Sequence, residues 1–203
     1  MEKVLIINAS PRAPKSNSRR YAEMFSAVCP IPTDYRCLNR ANHGELARAM
    51  EHASDLLLVF PLYADAIPVT LLNFFKSLEK APPRHRPKIS VLINCGFLEP
   101  EQNDIAVRMV RLFCLHAGFP YGSTLRVGSG EAILGTPFRI LVRAGIRRLA
   151  RAIAAGKDVS LQVTMPLSKP LFLRASTVYW KNYGMKHGIT RAEMETMQIE
   201  GGQ

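Results

Sequence analysis

Three short apolar runs limit what this chain can fold into: Val4–Asn8 (V-L-I-I-N), Asp55–Phe60 (D-L-L-L-V-F) and Lys88–Asn94 (K-I-S-V-L-I-N). Each is nearly continuous rather than alternating, as in a strand covered on both faces of a parallel sheet. The stretches between them carry helical spacing instead. Ser16 or Asn17 can cap a helix through Arg20–Val28, which Pro30 and Pro32 end. Further helices are predicted at Glu45–Ala53, at Pro68–Lys80 with Leu71, Leu72, Phe75 and Leu78 on one face, and at Glu99–Ala117. Weaker strands near Tyr35–Leu38 and Thr124–Val127 complete the alternation. Strand–helix alternation with short connections predicts an open, doubly wound parallel sheet.

The C-terminal part reads differently. Pro137–Ala155 is an amphipathic helix whose apolar stripe is Phe138, Leu141, Val142, Leu149 and Ile153, with Arg139, Arg143, Arg147 and Arg151 recurring on another face. One more helix, about Pro170–Lys186, and a polar tail follow. The formal net charge is +11, and its distribution is uneven. Residues 139–191 hold eleven Lys/Arg against one acid, Asp158, so that stretch carries +10 and the rest about +1. An acidic partner, a phosphorylated cosubstrate or an anionic surface would suit that asymmetry, and so would a merely solvated basic face. At 203 residues the chain is expected to form one domain, with 137–203 as a basic helical part packed on or beside the sheet. The cysteines Cys29, Cys37, Cys95 and Cys114 have no C-x-x-C pairing, and no signal segment begins the chain, so reduced thiols in the cytoplasm are expected. No apolar run is long enough to span a bilayer.

Ligands of doubly wound sheets bind beyond the carboxyl ends of the strands, at the switch in strand order. Three segments fall there: Ala9–Ser18, Pro61–Asp65 and Asn94–Phe97. In the first, Ser10, Ser16 and Ser18 offer hydroxyls, Asn17 an amide and Arg12 a fixed charge, just before a helix N-terminus. This set can surround a phosphate without a metal. Neither G-x-x-x-x-G-K-[ST] nor G-x-G-x-x-G is present, and the loop lacks the cysteine nucleophile of a small phosphatase. In the second, Pro61-Leu62-Tyr63 sets a flat side chain and stiff backbone at a strand end, followed by Ala64 and Asp65. In the third, Asn94-Cys95-Gly96-Phe97 lets backbone approach a ligand at Gly96. Cys95 reads as a small buried hydrophobe before it reads as a nucleophile.

S-P-R…S-N-S after the first strand, D-L-L-L-V-F-P-L-Y with the following I-P, and I-N-C-G-F-x-E together resemble the flavodoxin-like NAD(P)H-dependent FMN reductases. The G-E-A-I stretch at 130–133 is similar to a segment in one branch of that family. The resemblance implies a three-layer α/β sandwich around a five-stranded parallel sheet of order 2-1-3-4-5. It also implies FMN, with Ser10, Arg12, Ser16, Asn17 and Ser18 on the phosphate and Pro61, Leu62, Tyr63, Ala64, Asp65, Asn94, Cys95, Gly96 and Phe97 around the ring. NADPH or NADH would be the cosubstrate and a small molecule such as a quinone, free flavin or nitro or azo compound the acceptor. No acid–base side chain and no metal would be required, and the protein would be a homodimer. Two other readings stay open: a flavodoxin-like electron carrier docking an acidic redox partner, and a basic module for nucleic acid or anionic lipid. Against the last, no nucleic-acid motif is present, and Tyr179, Trp180 and Tyr183 cluster as a core or interface face.

Overall fold

The computed structural model describes residues 2–13 and 15–196; Pro14 and the end of the polar tail lie outside them. The chain divides into two compact units, Met1–Met165 and Pro166–Gln203.

The first unit alternates strand and helix: β1 (Val4–Asn8), α1 (Asn17–Ser26), β2 (Thr33–Cys37), α2 (His43–Met50), β3 (Asp55–Pro61), α3 (Val69–Lys80), β4 (Lys88–Asn94), α4 (Asp104–Ala117), β5 (Tyr121–Val127), α5 (Arg139–Ala154) and β6 (Ser160–Val163). All strand pairings are parallel, in the order β2-β1-β3-β4-β5-β6. The order 2-1-3-4-5 holds for the first five strands, and the sheet has six strands rather than the five expected. The sixth, S-L-Q-V, alternates exposed and half-buried positions and pairs only with β5, so it lacks the continuous apolar run that marks the inner strands. The expected helix Glu99–Ala117 opens as a 3-10 turn, Pro100–Asn103, before α4 begins.

The pleat separates two cores. Leu5, Ile7, Leu56, Leu58, Phe60, Val91 and Ile93 face one layer, packed against Leu46 and Met50 of α2, Leu71 and Phe74 of α3 and Val110 of α4. On the other layer α1 buries Tyr21, Ala22 and Phe25, and α5 buries Val142, Ile146, Leu149 and Ile153. Of the stripe expected on α5, Val142, Leu149 and Ile153 are buried, whereas Leu141 is exposed and Phe138 half-buried, since the buried face runs through 142, 145, 146, 149 and 153. Each fully buried Leu or Ile contributes about 1.5–3 kcal/mol. The edge strand β2 is polar, and its Asp34 bonds Lys3 and Arg36 while Arg36 reaches Glu45, charges that blunt further strand addition.

The second unit holds α6 (Lys169–Lys186) and α7 (Arg191–Glu195), the latter opened by a Thr190–Glu193 capping box. Tyr179, Trp180 and Tyr183 contact one another with centroids 5.2–6.3 Å apart, Tyr179 and Tyr183 stacked and Trp180 edge-on to both. Each is about half exposed, so of the two expectations, core or interface face, the first does not hold. Among the described residues no helix is long and apolar enough to cross a membrane.

Candidate functional site

The strand order reverses between β1 and β3, so the loops leaving those strands flank the switch point. Asn8, the last residue of β1, organises the first loop from a fully buried position. Its Oδ1 accepts from the Ser10 N–H at 3.0 Å. Its Nδ2 donates to the Tyr35 hydroxyl at 2.9 Å and to Ser16 Oγ at 3.4 Å. Burial, then a bond with the Cys37 thiol, pushes Tyr35 up to about 12, so this anchor is a neutral hydroxyl at ordinary pH. Ser10 closes a tight turn: its Oγ accepts from the Arg12 N–H and its carbonyl from the Ala13 N–H. Ser16 caps α1, accepting from the Arg19 N–H at 3.2 Å. The N–H groups of Asn17 and Ser18 precede the first helical acceptor and stand at the positive end of α1.

The second and third loops are tied together. Leu62 N–H donates to the Asn94 carbonyl at 2.7 Å, and Asn94 Nδ2 donates to the Phe60 carbonyl at 3.2 Å and to Ser18 Oγ at 3.4 Å. Tyr63 and Ala66 exchange backbone bonds of 3.0 and 3.1 Å across Ala64 and Asp65, whose φ values are +47° and +57°. Two positive φ values in a two-residue connection make a type I′ turn, here built without glycine. Burial pushes the Cys95 thiol up, and its sulfur takes a bond from Asn103 Nδ2 at 3.3 Å; a protonated, occupied thiol is no nucleophile.

A fourth segment, Gly128–Glu131 after β5, closes the group. Ser129 N–H donates to the Phe97 carbonyl and Gly130 N–H to the Cys95 carbonyl, and the buried Tyr21 hydroxyl donates to the Gly130 carbonyl at 2.6 Å. A Cβ on Gly130 would sit 2.7 Å from Asn94 Cβ and 3.2 Å from the Cys95 carbonyl oxygen, so the two loops pass at glycine-only distance. Thr164, just beyond β6, donates to the Leu98 carbonyl and bonds Ser129 Oγ.

These loops enclose a cavity of about 590 Å³. Ser10, Arg12, Ser16, Asn17 and Ser18 line it from the first loop, Pro61 and Leu62 from the second, and Asn94, Cys95 and Gly96 from the third. Tyr63, Ala64, Asp65 and Phe97 do not line it; all four side chains are exposed. Lys15, Arg19, Arg20, Glu23 and Glu131 line it as well; Lys15 lies in the Ala9–Ser18 segment and Glu131 in the G-E-A-I stretch, but none of the five is among the ligand-binding residues expected from the sequence. Glu131 was findable, since Gly128–Glu131 also leaves a strand at its carboxyl end. The α1 residues were not, because their part in the cavity depends on how α1 is rotated about its axis. Four cations (Arg12, Lys15, Arg19, Arg20) against two carboxylates (Glu23, Glu131) leave the lining at +2. Arg19 and Glu23 are themselves paired at 2.8 Å. Among the described residues no group of three His, Cys, Asp or Glu is arranged to hold a metal.

The residues present fit FMN. The serine-rich end with excess positive charge suits a phosphate dianion, and Pro61–Leu62 with Asn94–Gly96 give a partly apolar wall rich in backbone polar groups for a planar ring. The volume falls in the range of small-ligand sites, about 300–1,000 Å³.

No family model and no curated protein sequence matches the chain. Solved structures do. An NAD(P)H:quinone oxidoreductase from Methanothermobacter marburgensis superposes with TM-score 0.60 at 18% identity, covering 74% of this chain and 95% of its own. An FMN-dependent NADH-azoreductase from Bacillus anthracis str. Ames Ancestor, solved with FMN, gives 0.56 at 16%, covering 76% and 100%. The flavodoxin of Streptococcus pneumoniae TIGR4 gives 0.56 at 13%, covering 76% and 99%. The chain has the flavodoxin-like fold, with six strands in its sheet.

Proposed function

We propose that this protein is an FMN-dependent oxidoreductase that draws on NAD(P)H and reduces a small acceptor such as a quinone, a free flavin or a nitro or azo compound. One observation carries the reading: the loops from β1, β3 and β4 share one cavity, rich in hydroxyls at one end, whose lining bears a net charge of +2. The quinone and azo reductases of like fold support it. Bound there, FMN would supply the redox chemistry, taking two electrons from the nicotinamide and handing them to the acceptor.

The chain's own residues hold and orient. Ser10, Ser16 and Ser18 hydroxyls, the first N–H groups of α1 and Arg12 bind the phosphate. Asn8 fixes the Ser10 turn against β2, so the donors stand ready before a ligand arrives. Pro61, Leu62, Asn94, Cys95 and Gly96, which line the cavity, frame the ring. No side chain is required to shuttle a proton.

The same fold in a flavodoxin favours a second reading, an electron carrier without turnover of its own. One experiment separates them: FMN titrated into the purified protein, followed by NADH or NADPH with a quinone. Quenched flavin fluorescence with sustained nicotinamide oxidation supports the reductase. Quenching without turnover supports the carrier, and no quenching sinks both. The proposed homodimer is checked by sedimentation equilibrium.

A further inference from the structure

Beside the first cavity, along α1, lies a second of about 380 Å³, and the two share Arg20 and Glu23. Met24 and Ala27 extend its wall along α1, and Leu134 comes from the turn after β5. Arg139 and Arg143, one turn apart at the start of α5, close it. The helices α1 and α5 pack on each other, so three arginines from two helices line the same cleft.

The charge in this cleft is uncompensated. Glu23, its one carboxylate, is paired with Arg19 at 2.8 Å. Arg20 donates to Asn17 Oδ1 at 3.2 Å, which leans it toward the first loop. Among the described residues, Arg20, Arg139 and Arg143 form no ion pair with a carboxylate. Three arginines and no lysine form a set of planar forks, the geometry that grips a phosphomonoester in two-pronged fashion and stacks on flat heteroaromatic rings. Met24, Ala27 and Leu134 add an apolar surface for such a ring. A ring joined to a phosphomonoester, within reach of the first cavity, is what the lining asks for. From Asn17 to Met24 is seven residues of helix, about 10 Å, so a dinucleotide held in the cleft lies beside the place proposed for FMN.

We infer that the α1–α5 cleft binds the adenosine 2′-phosphate end of NADPH, and that Arg20, Arg139 and Arg143 make this chain prefer NADPH to NADH. The inference rests on the reductase reading for why a nicotinamide dinucleotide is present at all. It also narrows the arginine stripe of α5, because Arg147 and Arg151 do not line the cleft.

The test is calorimetric titration of the purified protein with adenosine 2′,5′-bisphosphate, 5′-AMP and inorganic phosphate, without turnover. The bisphosphate is expected to bind about tenfold or more tightly than 5′-AMP, the scale of a charge-assisted pair, with inorganic phosphate a weak competitor. Arg139→Ala/Arg143→Ala should abolish that preference. Both residues are exposed and neither lines the first cavity, so the thermal midpoint and FMN quenching of the variant should match the parent. Equal affinity for the bisphosphate and 5′-AMP, an unaltered preference in the double variant, or equal competition by inorganic phosphate would each overturn the inference. If FMN fails to bind while the preference persists, the reductase reading falls and the cleft stands. If FMN binds and the preference is absent, the reverse holds.

Discussion

The turn at Ala64–Asp65 permits a prediction whose sign depends on backbone geometry alone. Both residues sit in the left-handed region, at φ +47° and +57°, and neither is glycine. For an ordinary L-residue that conformation costs roughly 1–2 kcal/mol, and less for Asp, whose short polar side chain tolerates it. Replacing the pair by Asn-Gly, the sequence a type I′ turn favours, removes most of that cost. The added chain entropy of glycine gives back about 0.5–1 kcal/mol. The net gain for Ala64→Asn/Asp65→Gly is therefore about 1 kcal/mol, which in a chain of this size raises Tm by about 2–4 °C. The opposite change, Ala64→Val, puts a β-branched residue where it is least at home and should lower Tm by at least as much. Thermal unfolding followed by far-ultraviolet circular dichroism measures both. A double variant no more stable than the parent, or a valine variant equal to it, would refute the assignment of strain to this turn.

Other consequences are as direct. Gly128→Ala places a Cβ 2.5 Å from the Leu98 carbonyl oxygen and 3.1 Å from the Pro100 nitrogen, backbone atoms that cannot swing away; the urea midpoint should drop sharply. Asn8→Leu leaves the Ser10 N–H without its acceptor inside the protein and should cost about 1–3 kcal/mol, with FMN affinity falling alongside in a fluorescence titration. Ser16→Ala removes the cap of α1, worth about 1 kcal/mol, and should weaken FMN more than it weakens riboflavin, which lacks the phosphate. Burial holds the Cys114 thiol up to about 12. A folded-state value above the unfolded one stabilises fully below the unfolded value, about 8.5. That contribution is lost as pH rises toward 12, so the urea midpoint should decline over this window and Cys114→Ala should flatten the decline.

What the sequence disclosed follows from how each element is buried. Strands β1, β3 and β4 lie at the centre of the sheet, and double burial wrote them as apolar runs whose ends mark the loops of the site. Edge strand β6 is bonded on one side and only half covered, so four residues of mixed polarity carried no comparable mark. On α5 the Pro137–Ala155 spacing predicts the helix and the burial of Val142, Leu149 and Ile153, and goes wrong at Leu141, which lies at the margin of the buried stripe. Ser16 was legible as a cap because capping is local chemistry. Arg19, Arg20 and Glu23 became visible as cavity residues only once α1 was docked on the sheet. Clustering of Tyr179, Trp180 and Tyr183 left core and interface face both open, and on α6 they contact one another half exposed, which removes the core.

The Thr164 hydroxyl touches both the loop after β4 and the loop after β5 from the far end of the sixth strand. The edge strand therefore acts as a brace: it contributes no residue to the lining of the cavity, yet it clamps the two backbones that shape one wall. A wall braced from outside can be tuned from outside. Substitutions along Ser160–Val163 would alter how stiffly the cavity holds a planar ligand while leaving every lining side chain in place, and the ligand's off-rate is where that change would register.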